Sequence, residues 1–221
     1  DLGIDAVANQ PPGRSLECRL GIQCASALAN AQRGSEAVPA AKRALQAATD
    51  ANDDVLRAKA LSTLADAQRV EAKEMDAARA NAEEAVRILR AVPDAPRGEL
   101  AAALNNLGLV LFDAGDLDAG IAATEEGIAI GKELGKQGGY KAMFDLHNLA
   151  QIERTAGRLD GAEAHALQAL AIVETLAGKS HPHRAAVLGN LALVKRAKKQ
   201  FADGERCERE ALRVQIGRAH V

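Results

Sequence analysis

The sequence predicts an all-α protein built as an α-solenoid of antiparallel helix hairpins. Three observations carry that prediction. The first is a repeat: Leu104-Asn105-Asn106-Leu107-Gly108 recurs 42 residues on as Leu146-His147-Asn148-Leu149-Ala150, and 42 further as Leu188-Gly189-Asn190-Leu191-Ala192. A fixed period of this length marks stacked supersecondary units. The second is composition. Ala occurs 49 times while aromatic residues make up 2%, and Ala combines the best helix propensity with a side chain that lets helix axes approach. The third is that Val, Ile and Thr never form the alternating runs that strands require.

In chain order, residues 1–15 read as a linker or the end of a preceding segment, with the turn-rich "NQPPGRS" at 9–15. Residues 16–56 read as a degenerate hairpin broken at Gly34, with an Ala37/Ala41/Ala44 ladder and Pro39 tolerable if it falls in a first helical turn. Repeat 1 covers 57–99, repeat 2 100–141, repeat 3 142–183 and repeat 4 184–215. Columns hold across these copies. Met75, Leu117, Leu159 and Phe201 form one; Ala78, Gly120, Ala162 and Gly204 another; Ala85, Gly127, Ala169 and Ala211 a third. Val86, Ile128, Leu170 and Leu212, then Ile88, Ile130, Ile172 and Val214, complete the set. In copy one, Leu61, Leu64 and Ala65 sit 43 residues before their counterparts, which places one extra residue in the turn near Glu71–Glu74. Leu104, Leu107, Gly108 and Leu111 occupy one helical face. "DAGD" (113–116) and "TAGR" (155–158) then supply Gly where a helix C-cap needs positive φ. "VPDAPRG" (92–98) and "GKSHPH" (178–183) are inter-repeat loops, with Pro182 opening the next helix.

Bulk properties narrow the function. Net charge is −2, from 28 basic and 30 acidic residues. No basic stripe with interleaved aromatics appears, so no nucleic-acid partner is expected, and the Arg196/Lys198/Lys199 cluster reads as a solvated helix end. No run of 18 apolar residues and no signal-peptide pattern is present, so no membrane partner is expected. Cys18, Cys24 and Cys207 are odd in number and lack CxxC spacing, which points to a reducing, cytoplasmic setting. The chain opens "DLGID" without Met and reads as a fragment. "IGRAHV" (216–221) matches no repeat column and is identical to a common sequencing adapter translated in one frame. It is expected to be a non-native tail, with the array truncated before it.

The columns above resemble the tetratricopeptide repeat, and the 42-residue period with "LNNLG", "HNLA" and "GNLA" resembles the kinesin-light-chain type, in which "HP" often precedes a repeat as His181-Pro182 does here. The resemblance covers about Arg57 to Gln215. Departures stand at the helix-A position that is usually aromatic, here Leu111, Glu153 and Lys195, with weakened packing or an exposed edge expected at the last two, and at "KKQF" (198–201), which lacks the turn Gly. The resemblance implies a right-handed superhelix whose helix-A series lines a concave groove suited to a peptide or helix of another protein. It implies inward-facing candidates Lys59, Ser62, Thr63 and Asp66 in copy one, and Asn105, Asn106, Leu109 and Phe112 in copy two. Copy three gives Phe144, His147, Asn148, Gln151 and Arg154, and copy four Asn190, Leu193 and Arg196. Asn106, Asn148 and Asn190 form a polar ladder. Asn is a poor helix former, so its recurrence has a reason: its amide either clamps a ligand backbone or makes an inter-helix hydrogen bond.

No enzyme constellation survives. His147, His165, His181, His183 and His220 are scattered, and HExxH, GxSxG, GxGxxG and P-loop spacings are missing. His181-Pro182-His183 reads as punctuation between helices, and the recurring Glu83-Glu84 and Glu125-Glu126 pairs as a solvated face. No cofactor and no metal is implied. The expected function is a non-catalytic scaffold that binds a protein or peptide in the groove. The alternative is the regulatory or sensor region of a larger signalling protein, such as a bacterial serine/threonine kinase or signalling ATPase.

Overall fold

The computed structural model describes residues 12–135 and 139–218. Among these residues there are ten helices and no strand. They are α1 (Pro12–Asn30), α2 (Gly34–Asp50), α3 (Asp54–Glu71), α4 (Met75–Ala91), α5 (Arg97–Asp113), α6 (Leu117–Glu133), α7 (Tyr140–Thr155), α8 (Leu159–Ala177), α9 (Pro182–Ala197) and α10 (Phe201–Arg218). The all-α class of successive hairpins is the one the repeat predicts. Most of the segment read as a leading linker, 1–11, and the end of the suspected tail, 219–221, lie outside the described residues; α1 begins at Pro12 and α10 runs to Arg218. The helices fall into two compact units, one ending at Gly115 and one beginning at Asp116.

Both units are built from small residues at helix crossings. In the first, Cys18, Ala44, Ala48, Leu56 and Ala60 join α1, α2 and α3. Ala25, Ala29, Ala37, Ala41, Leu64 and Ala67 form a second cluster of the same three helices. Ala65, Ala78, Ala82 and Val110 then join α3, α4 and α5. Gly34 sets the approach of α2 to the end of α3: a Cβ there would stand 2.6 Å from the Glu71 amide nitrogen. Pro39 lies in the second turn of α2 rather than the first. It strips a donor from the Ser35 carbonyl, and Ser35 is exposed, which lowers the cost of the lost bond. In the second unit, Met143, Leu146, Ala169, Val173 and Val187 bind α7, α8 and α9. Ala150, Ala166, Leu188, Leu191, Cys207, Ala211 and Val214 carry the core on to α10.

Most of the short turns share one feature, while the longer α4–α5 and α8–α9 loops do not. A residue in the left-handed region stands two positions before the next helix: Gln32, Asn52, Gly115, Gly157 and Lys199, with φ of 59°, 50°, 84°, 77° and 62°. In copy one the residue is Ala72 (φ 58°), three positions before α4, so the extra residue falls between Ala72 and Met75. Lys199 therefore adopts the conformation for which "KKQF" offers no Gly. That costs an L-residue about 1–2 kcal/mol.

In the column usually aromatic Leu111 is buried, while Glu153 is held by a hydrogen bond and Lys195 by an ion pair, correcting the expected exposed edge at those two. The Glu153 side chain is 7% exposed and its Oε2 stands 2.7 Å from His165 Nδ1. Gly161 makes room, since a Cβ there would meet Glu153 Oε1 at 2.5 Å. Lys195 pairs with Glu163, which also accepts from Lys198 Nζ at 2.5 Å. Helix A and helix B are thus bridged by charge where an aromatic ring is usual. Those lysines hold the Glu163 carboxyl below its usual range, through hydrogen bonds first from Lys195 and then from Lys198.

Candidate functional site

The candidate residues lie on the first helix of each hairpin, so each unit presents its own face. In the first unit the face is carried by α3 and α5, and its polar groups are largely consumed internally. Lys59 Nζ donates to Glu99 Oε1 at 2.8 Å. Thr63 Oγ1 donates to the Lys59 carbonyl at 3.0 Å. Asp66 accepts from Arg69 Nη2 at 2.7 Å, and the same guanidinium reaches Asp113 at 3.0 Å. Asn106 Nδ2 donates to Ser62 Oγ at 2.9 Å. Asn105, Leu109 and Phe112 are half-buried along the same helix.

The second unit carries its face on α7 and α9. Asn190 is buried, and its Nδ2 donates to the His147 carbonyl at 3.3 Å. Two rungs of the ladder, Asn106 and Asn190, therefore tie one helix A to the preceding one, which is the structural half of the two readings open from sequence. Asn148 is half-buried on α7. Phe144 and Leu193 are 42% and 49% exposed, large apolar surfaces left in water. Arg196 Nη1 donates to Glu208 at 2.7 Å.

Around Phe144 the structure assembles a cluster that the sequence did not announce. Its ring meets His183 edge-on with centroids 4.8 Å apart. His183 lies 4.9 Å from His181, and Tyr140 lies 5.8 Å from His181. The only Tyr and one of three Phe thus meet the His-Pro-His loop. His181 also caps α9, its Nδ1 accepting from the His183 amide at 3.3 Å, and Pro182 is the first helical residue. The loop is punctuation, and it also walls the α7 face. Among the described residues no group of three or more His, Cys, Asp or Glu is placed to hold a metal ion.

Two atoms on α7 stand apart. His147 Nδ1 and Arg154 Nε are the buried side-chain polar atoms without a hydrogen-bond partner among the described residues. They lie two turns apart on one stripe, with Gln151 between them. Burial, reinforced by the nearby His183, pushes the His147 imidazole below its ordinary range, so it is held neutral. Burial and then His181 do the same to His183. Elsewhere in the unit, buried charges are paired: Arg184 reaches Glu174 at 2.6 Å and Glu210 at 2.8 Å.

Comparison with known proteins agrees with the helix-hairpin fold. Residues 142–216 match the tetratricopeptide repeat family. No curated protein matches in sequence. Among solved structures, the chain is similar to a Podosopora anserina candidate kinesin light chain with nearly identical TPR-like repeats. The identity is 18%, the TM-score 0.70, and the match covers 90% of this chain and 95% of that one. It is also similar to the apo form of RapI, at 14% identity and TM-score 0.72, over 92% of this chain and 72% of that one. A Rap protein complexed with Competence and Sporulation Factor matches at 13% identity and TM-score 0.65, over 95% of this chain and 67% of that one. Among the described residues no helix is long and apolar enough to cross a membrane. Residues 142–216 thus match the tetratricopeptide repeat family, and the helix hairpins around that segment share the fold of solved TPR-like repeats.

Proposed function

We propose that the chain is a non-catalytic scaffold that binds a protein or peptide segment on its helix-A faces, in a cytoplasmic setting. The carrying observation is the α7 stripe, where a half-buried imidazole and guanidinium each keep a buried nitrogen without a partner among the described residues, beside the exposed side chains of Phe144 and Leu193. A buried polar atom without a hydrogen bond is costly, so these two positions mark the α7 stripe as unlike the rest of the core. Of the candidates, Phe144, His147, Gln151, Arg154, Leu193 and Arg196 form the second unit's face, with Asn148 and Asn190 at its floor. Asn105, Asn106, Leu109 and Phe112 form that of the first. The Rap protein complexed with Competence and Sporulation Factor supports the reading by fold.

The test is selection from a displayed library of random peptides against the 221-residue chain. Enriched peptides are expected to lose binding with Phe144→Ser or Leu193→Ser and to keep it with the surface change Arg87→Gln. No enrichment, or enrichment indifferent to Phe144 and Leu193, would sink the proposal.

A second reading makes the repeats the sensor region of a larger signalling protein, such as a serine/threonine kinase or signalling ATPase. RapI, of which the match covers 72%, shows that such a segment can belong to a longer chain. A kinase or nucleotidase motif in the parent gene decides between the two.

A further inference from the structure

We propose that a second copy of this chain docks head to tail, α1 of one copy seating Leu16 and Leu20 in the groove between α9 and α10 of the other. The proposal concerns a different surface from the α7 face and does not depend on the scaffold reading.

The junctions inside the chain show what such a groove accepts. Counting back from the left-handed turn residues Gln32 and Lys199, Leu16 of α1 aligns with His183 of α9, Leu20 with Val187 and Gln23 with Asn190. These three α9 residues join it to the α7/α8 hairpin. His183 meets Phe144 edge-on, Val187 shares a core cluster with Met143, Ala169 and Val173, and Asn190 donates to the His147 carbonyl. The Leu20 position is buried in the later hairpins, as Ala103, Asp145 and Val187. On α1 the same positions are open: Leu16 and Leu20 are 59% and 56% exposed, and Gln23 is exposed. Two leucines one turn apart form an apolar stripe on a helix face, the pattern by which a helix anchors in a groove.

The receiving face fits that stripe. Moving the α7/α8 positions on by 42 residues places Pro182 at Tyr140, Ala185 at Met143, Ala186 at Phe144, Val214 at Ile172 and Gln215 at Val173. Those five residues line an apolar groove of about 320 Å³. Sizes are exchanged between the two sides. Inside the chain the large Met143 and Phe144 meet Val187 and His183; in the groove, Ala185 and Ala186 leave room for the longer Leu20 and the apolar Leu16. A neighbouring column agrees, since Val86 is buried, Ile128 and Leu170 are half-buried and Leu212 is 53% exposed.

Charges are exchanged as well. Arg184 of α9 reaches Glu174 of α8 at 2.6 Å. Glu17 stands at the Arg184 position of α1, and Arg213 lies on α10 one turn before the Glu174 position, both exposed. Cation and anion have thus changed places together, which suits the two faces to each other. Gln23 brings a carboxamide to Gly189, the residue aligned with His147, whose carbonyl Asn190 uses. Because two different faces meet, the contact is heterologous. Each dimer keeps one free α1 face and one free groove, so association continues or closes into a ring.

Sedimentation velocity of the 221-residue chain, from micromolar to hundred-micromolar concentration, is expected to show a mass that rises with concentration. Leu20→Glu and Ala186→Glu alter exposed side chains, and each is expected to leave the chain monomeric with unchanged Tm. Leu16→Glu is a second α1 variant expected to behave as Leu20→Glu does. Mixing Leu20→Glu with Ala186→Glu is expected to give a one-to-one dimer and nothing larger, because the groove of the first and α1 of the second are intact. Glu17→Arg is expected to weaken association about threefold, and Glu17→Arg combined with Arg213→Glu to restore it. A monomer at every concentration would overturn the proposal. Self-association of Ala186→Glu alone would assign the contact to two α1 faces, and of Leu20→Glu alone to two grooves; either would overturn it. A mixture that stays monomeric while both variants keep their Tm would overturn it too.

Discussion

The α3/α5 face of the first unit and the α7/α9 face of the second descend from the same repeat, yet they differ in how their polar groups are used. On the first, Lys59, Thr63, Asp66 and Asn106 each have a partner within the chain. On the second, His147 Nδ1 and Arg154 Nε have none among the described residues, and Phe144 and Leu193 stay exposed. Arg69 and Arg154 stand at corresponding positions of the repeat, yet the first holds Asp66 and Asp113 while the second keeps Nε without a partner among the described residues. A surface whose polar groups are satisfied gains little from a partner. One that leaves large apolar side chains in water gains by their burial.

Core and face should first be separated by truncation. Leu104→Ala in the first unit and Leu149→Ala in the second remove fully buried side chains. Each is expected to cost about 2–5 kcal/mol in urea unfolding. Equal costs would show that the faces differ while the cores do not; a cost under about 1 kcal/mol at either would break the comparison.

The Asn rungs come next. Asn106→Ala and Asn190→Ala each strip a hydrogen bond to the preceding helix A, and a loss of about 0.5–1.5 kcal/mol is expected from each. Unchanged stability with lost peptide binding would hand the ladder back to ligand recognition. Turn chemistry gives a smaller effect. Lys199→Gly relieves a left-handed backbone at φ 62° and is expected to add about 1 kcal/mol. Gly157→Ala, at φ 77°, is expected to subtract a similar amount. Differential scanning calorimetry reads both.

Acidification sharpens the contrast by direction alone. His147 and His183 have pKa values lowered in the folded protein, through burial first. The unfolded chain therefore binds protons more readily below the ordinary histidine pKa of 6.5. Their contribution to stability is complete above that pH and is lost as pH falls through the lowered values. Chemical unfolding at about pH 7.5 and about pH 5 is expected to show weaker folding at the lower pH, and His147→Leu to reduce the difference. An unchanged difference in that variant would remove His147 from the account.

Much of the architecture was legible in the sequence, because backbone periodicity and side-chain size repeat together. Leu104, Leu146 and Leu188 announced helix A, Ala85 and Ala169 the close helix-B contacts, and Gly115 and Gly157 the turns. Pro182 was readable as a helix start because its missing N–H costs nothing there. Less legible was whatever depends on pairs from different helices. Glu153 looked like a packing defect until Gly161 and His165 were seen around it. Lys199 was legible only through the 42-residue register that aligns it with Gly115 and Gly157, since its own residue type gives no sign of a left-handed backbone. The candidate face was readable as positions, through the resemblance of helix A, but not as chemistry. That Arg154 Nε is unfilled while Arg69 holds two carboxylates follows from where Asp66 and Asp113 end up, and no spacing along the chain reveals it.

The central claim is that the second unit's face, rather than the first's, is the receptor. Amide chemical shifts of the isotope-labelled chain, followed while a peptide enriched from the displayed library is titrated in, test it most directly. The account predicts that shifts concentrate at Phe144, His147, Gln151, Arg154 and Leu193, with Ser62, Asp66 and Asn106 little moved. Shifts centred on α3 and α5, or spread over the helix-B surfaces with α7 silent, would contradict it.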